Sequence, residues 1–207
     1  MSQIDLPKNI KTITVSGLHS NIGKTLLSEY LLGLIDNIAA IKMTTSDFET
    51  FITDDKNKIM VEGKDTWRLK KSGASKVVWI TATPDNTLNS FNKSLTLLKD
   101  QENLLIEGNS ILKYLEPDLS FFICNQKIFD YENIKPSRKL ALRKTDVVIN
   151  NLKEGSSDSK ENIQIEQSCL NHNSTAKFIN LDLKDTDSAV RILKEVLNSH
   201  GITVHGI

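Results

Sequence analysis

Seven short apolar runs recur along this chain, and no other feature narrows its fold as much. They are KTITVS (11–16), IAAIKM (38–43), KVVWIT (76–81), NLLIE (103–107), LSFFICN (119–125), DVVIN (146–150) and AKFINL (176–181). Each is apolar throughout rather than alternating, the mark of a strand covered on both faces. Helical spacing fills the gaps: Leu27, Leu31, Leu34 and Ile35 make one stripe, and Ala189, Ile192, Leu193, Val196 and Leu197 another. Strands alternating with helices predict an α/β fold, a doubly wound, mostly parallel sheet with helices on both faces.

The 207 residues suit one domain with a large core, and a single domain over 1–207 is expected. There is no internal repeat and no break in composition. Two stretches interrupt the rhythm. TTSDFETFITDDKNKIMVE (44–62) is polar and aperiodic, and 153–175 reads as a long solvated loop with some helix.

The 26 basic and 26 acidic residues cancel, which argues against nucleic acid or an anionic membrane as a general partner. No apolar run approaches the roughly 20 residues of a membrane span, and MSQIDLPKNIK has no secretory h-region. Cys124 and Cys169 stand far apart without metal-binding spacing, as expected of reduced core thiols. A cytoplasmic protein is the expectation.

VSGLHSNIGKTLLSEY (15–30) carries the chemistry. A strand, a glycine-bearing turn and a helix opening on Gly-Lys-Thr make a phosphate-binding loop, although the usual G-x-x-x-x-G-K-[ST] has four residues between its glycines. Here five, Leu18 to Ile22, separate Gly17 from Gly23. Backbone amides of the turn and helix start, including those of Ile22, Gly23 and Leu26, would face phosphate oxygens. Lys24 would charge-pair with the β and γ phosphates, and the Thr25 hydroxyl would bind Mg²⁺. Ser20 and Asn21 suit a tight turn. His19 either bonds the nucleotide or substrate, or stands in water.

Magnesium needs oxygen ligands beyond Thr25. Glu107 closes a strand at its C-terminal end, where ligands bind in open α/β sheets; otherwise it caps the next turn. Asp47 is the nearest acid to the end of the second strand, with Asp54 and Asp55 as alternatives. A basic stretch, KPSRKLALRK (135–144), reads as a solvated helix face.

SGLHSNIGKT resembles the G-T-x-[ST]-x-x-G-K-T loop of dethiobiotin synthetases and cobyrinic acid amidases, within the P-loop proteins. The resemblance implies ATP use, a small carboxylic acid substrate, and a magnesium-binding glutamate that falls on Glu107. MinD-type relatives have a signature lysine where this chain has His19, so a lysine-finger homodimer is not implied; a homodimer of another kind stays open.

GKDTWRLKKSGA (63–74), followed by an apolar strand, resembles a segment of the molybdopterin-guanine dinucleotide biosynthesis protein B family. That resemblance implies a small P-loop protein, usually GTP-binding, partnering molybdenum-cofactor assembly or a molybdenum enzyme. The family's histidines after strand two are replaced here by Met43-Thr44-Thr45-Ser46. In related P-loop proteins an asparagine ending the sixth long run reads the nucleobase, a role carried to Asn150 and Asn151. Expected chemistry is positioning and charge stabilisation, with Lys24 and Glu107 as the catalytic groups, GTP or ATP as nucleotide and Mg²⁺ as cofactor. A nucleotide-gated partner of a metalloenzyme is the further alternative.

Overall fold

Each of the seven apolar runs forms a strand, and both helical stripes form helices, one after the first run and one after the last. The computed structural model describes residues 4, 6, 7, 10–125, 131–152 and 159–205. In chain order the elements are β1 (Lys11–Gly17), α1 (Lys24–Leu34), β2 (Ile38–Thr45), β3 (Phe51–Thr53), α2 (Lys56–Ile59), α3 (Asp65–Lys71), β4 (Val77–Ala82), α4 (Thr87–Leu95), β5 (Asn103–Glu107), β6 (Leu119–Cys124), α5 (Pro136–Lys144), β7 (Val147–Asn151), α6 (Ser159–Leu170), β8 (Lys177–Leu181) and α7 (Thr186–Ser199). They build one eight-stranded sheet in the order β3-β4-β2-β5-β1-β6-β7-β8. All neighbours run parallel except the β3–β4 pair.

The continuous apolar runs bury both sheet faces. Along β2, Ile38 and Ala40 join one core with Leu27, Leu31 and Leu193, while Ala39, Ile41 and Met43 join a second with Phe91 and Leu95. The predicted stripe of α1 is buried along its length.

One expectation changes, and another is filled in. The polar stretch 44–62 holds the antiparallel edge strand β3 and the short helix α2. β3 has three half-buried residues, too few to show a period. The stretch 153–175 contains α6 from Ser159, while 153–158 lies outside the described residues. Cys124 and Cys169 are buried free thiols with their sulfurs 3.7 Å apart. Among the described residues no helix is long and apolar enough to cross a membrane.

The two ends of the strands are built differently. At the N-terminal ends, Asp118 accepts hydrogen bonds from the Thr12 amide (2.8 Å), the Thr12 hydroxyl (3.1 Å) and Lys11 Nζ (2.9 Å). Asp146 likewise accepts from the Ser120 amide (2.8 Å) and hydroxyl (2.6 Å). These carboxylates stitch the entry to β1, β6 and β7 together. The C-terminal ends open into a cavity.

Candidate functional site

The turn after β1 is held from both sides. Asn109, just past β5, donates from Nδ2 to the Gly17 carbonyl (3.0 Å) and accepts from its amide at Oδ1 (2.9 Å). The Leu18 amide donates to the Ile123 carbonyl of β6 (2.9 Å). Between these anchors the chain turns through two left-handed residues, Asn21 (φ 57°) and Gly23 (φ 110°). Only glycine suits position 23. Besides its φ, a Cβ there would come within 2.9 Å of both Asn151 Nδ2 and Leu183 Cδ1. Gly23 starts α1 with no side-chain cap and no acid in the first turn, so the first amides of the helix keep their hydrogens available.

Lys24 folds back and donates from Nζ to the His19 carbonyl (2.8 Å). Burial lowers the pKa of its ammonium; nearby Glu107 opposes this, while Lys42 and Arg138 add to it. The Thr25 hydroxyl donates to Glu107 Oε1 at 3.0 Å. Glu107 is 1% exposed, and its other oxygen, Oε2, has no hydrogen-bond partner. A buried carboxylate oxygen without a partner is costly and calls for a ligand.

Lys42, on β2, reaches Glu107 Oε1 (2.6 Å) and Asp65 Oδ2 (2.5 Å). Burial alone would lower its pKa, but the two carboxylates outweigh it and hold the ammonium above the usual lysine range. Asp65 opens α3; burial would raise its pKa, yet Lys42, helped by Thr25 and Arg68, holds it below the ordinary value. Arg68 is itself gripped by Glu29 through Nε (2.8 Å) and Nη2 (2.7 Å). Gly108 (φ 152°) lets the chain turn directly under Met43, whose carbonyl would stand 2.8 Å from any Cβ.

These groups surround a cavity of about 750 Å³. Of the expected site residues, Gly17, His19, Ser20, Asn21, Gly23, Lys24, Thr25, Leu26 and Glu107 line it together. Ile22 does not; its side chain is buried beneath the turn against Gly17. The His19 ring lies between the Ser20 carbonyl (Nδ1, 2.7 Å) and the Asn125 side-chain oxygen Oδ1 (Nε2, 3.0 Å), and so props the loop.

Asp47 is not among the lining residues. It sits exposed on the loop past β2, while Asp54 pairs with Lys76 (2.9 Å) and Asp55 caps α2. The acid that faces the cavity from this side is Asp65, within the quoted GKD segment. Asn150 and Asn151 are also absent from the lining. Asn150 Nδ2 donates to Asn162 (3.1 Å) and Asn180 (2.8 Å). Asn151 donates to the Ile22 carbonyl (3.0 Å) and accepts from the Leu183 amide (3.1 Å). Their amides bind protein, not the cavity.

Lys135 and Arg138, read from sequence as part of a solvated face, reach the cavity wall. The other cations of that helix do not: Lys139 and Arg143 lie over the Tyr131 ring (5.2 and 5.6 Å), and Lys144 pairs with Glu116. Among the described residues no cluster of three or more His, Cys, Asp or Glu is arranged to hold a metal.

Known structures resemble this arrangement over nearly the whole chain. The hydrogenase maturation factor HypB from Archaeoglobus fulgidus superimposes with a TM-score of 0.57 at 17% identity, covering 92% of this chain and 91% of that one. HypB from Helicobacter pylori, solved in complex with nickel, gives 0.56 at 14% identity over 96% and 92% of the two chains. The likeness is one of fold: a mostly parallel sheet with helices between its strands. No protein-family model and no curated protein matches the chain.

Proposed function

We propose that this protein binds a nucleoside triphosphate with Mg²⁺ at the 17–25 turn and hydrolyses it weakly, or only with a partner. One observation carries the reading: Thr25 is hydrogen-bonded to a fully buried Glu107 whose second oxygen has no partner, directly beside Lys24 and the uncapped start of α1. Loop amides and Lys24 would take the phosphates. The donor set beside them, a hydroxyl, Glu107 Oε2 and Asp65, is all hard oxygen, as Mg²⁺ requires. Thr25 and Glu107 would hold the ion, directly or through water, and bound there it would neutralise charge developing on the phosphates.

The finer reading is a GTP-preferring protein serving molybdenum-cofactor assembly. The supporting observation is that the GKD segment shared with that family delivers Asp65 to Lys42 in the cavity. A second reading, a nucleotide-gated maturation partner of another metalloenzyme, draws support from the likeness to HypB along both chains.

The test is calorimetric titration with non-hydrolysable GTP and ATP analogues, with and without Mg²⁺. Magnesium-dependent binding is expected, with GTP tighter. Binding of neither analogue would end the proposal, and a clear ATP preference would end its molybdenum branch.

A further inference from the structure

The cavity holds more positive charge than its carboxylates neutralise. Lys42 lies between Glu107 and Asp65, and Arg68 is held by Glu29. Lys135 and Arg138 make no ion pair among the described residues. They stand three residues apart, and so on one side of the start of α5, with Ser137 between them. α5 begins with Pro136, which has no N–H, and has neither a side-chain cap nor an acid in its first turn; the Arg138 amide donates to the Lys135 carbonyl (2.9 Å), so the Ser137 amide is the one that adds to the field. Two unpaired cations, a hydroxyl and a helix start on one wall make a binding surface for an anion. This wall belongs to a different element from the 17–25 turn, which has its own lysine and its own amides.

We infer that Lys135, Ser137 and Arg138 form a second anion subsite, which holds the carboxylate or phosphate group of a small co-ligand beside the terminal phosphate of the nucleotide. The inference rests on the nucleotide reading for what lies opposite. A cavity of about 750 Å³ is at the upper part of the range for small-molecule sites and leaves room for two ligands. The co-ligand approaches between α5 and the end of β2, where Thr44 and Thr45 supply neutral donors.

The test loads the protein with Mg²⁺ and whichever non-hydrolysable analogue binds. Succinate and, separately, inorganic phosphate are then titrated into the wild type and the K135A/R138A double variant. Expected is binding of one of the two anions to the loaded wild type, weakened at least tenfold in the double variant, with nucleotide affinity changed less than threefold. The anion that binds identifies the group class. Two results overturn the inference: no binding of either anion up to tens of millimolar, or a parallel tenfold loss of nucleotide affinity, which would assign the wall to the nucleotide itself.

If no nucleotide binds, the functional reading fails separately, and the anions are titrated into the free protein. Binding that survives K24A but not K135A/R138A then upholds the subsite; the reverse pattern overturns it. Circular-dichroism melting, expected unchanged because neither cation has an ionic partner among the described residues, confirms that the double variant folds.

Discussion

The two ends of the sheet use the same residue types to opposite effect. At the N-terminal ends, Asp118 and Asp146 spend their oxygens on neighbouring strands, through Thr12, Lys11 and Ser120. At the C-terminal ends, Glu107 is more deeply buried than either, yet it keeps one oxygen unpartnered. Among the described residues Lys24 Nζ donates to a loop carbonyl and closes no ion pair. A carboxylate closed on its own fold stabilises the fold. One left open at a strand end holds its interaction in reserve for something that arrives later.

Three experiments would sharpen or break that contrast. The largest effect is expected for Glu107→Ala, because Glu107 serves both purposes. Removing it strips Lys42 of its most buried partner and should cost about 3 kcal/mol or more in urea denaturation. It should also abolish the magnesium dependence of nucleotide binding. A variant that kept wild-type stability would show that Asp65 alone suffices for Lys42.

Next comes Lys24→Ala. Nucleotide affinity should fall about 100-fold, near 2.7 kcal/mol, with the melting temperature unchanged or slightly raised, since the fold loses a desolvated charge. Because burial depresses the Lys24 pKa, the ammonium deprotonates below the ordinary lysine range. Wild-type affinity should therefore decline with rising pH before that range is reached. Binding should take up protons, measurable by calorimetry in buffers of different ionisation enthalpy. A flat affinity between pH 7 and 10 would remove Lys24 from the phosphate contact.

Asp118→Asn should do the reverse at the other end, costing about 2 kcal/mol of stability and leaving nucleotide affinity untouched. Burial would raise the Asp118 pKa, but the bonds from Thr12 and Lys11 more than offset it and hold it low. With a depressed folded-state value, the stabilisation is present above the ordinary carboxylate pKa of about 4 and is lost as pH falls through the folded one. The variant should accordingly show a shallower loss of stability in acid. Equal slopes in the two proteins would mean that Asp118 stitches nothing.

Much of this was legible beforehand, for a physical reason. Apolar composition announces a parallel strand, and so all seven long strands stand where the apolar runs do, although the edge strand β8 buries only Leu181. The edge strand β3 escaped because three half-buried residues carry no periodic signal. The 17–25 turn is local, and its residues are next to one another in both chain and space. The acid partner is not local: Asp65 and Asp47 are both acids beyond β2, and only the packing of α3 against the sheet chooses between them. The share of Lys135 and Arg138 in the cavity wall is hidden for a related reason. A stretch of five cations over 135–144 reads as a solvated face until its neighbours, Tyr131 and Glu116, divide them.

The Asn151 side chain has one further consequence. Its amide joins Ile22, in the turn before Gly23, to Leu183, past the end of β8. Three stretches far apart in sequence are therefore joined through one side chain, which uses both its donor and its acceptor end on the protein. A base-reading asparagine could be exchanged to retune specificity without disturbing the loop; this one could not. Change here would register as a change in loop shape, so under the proposed function any discrimination between nucleotides falls to other positions.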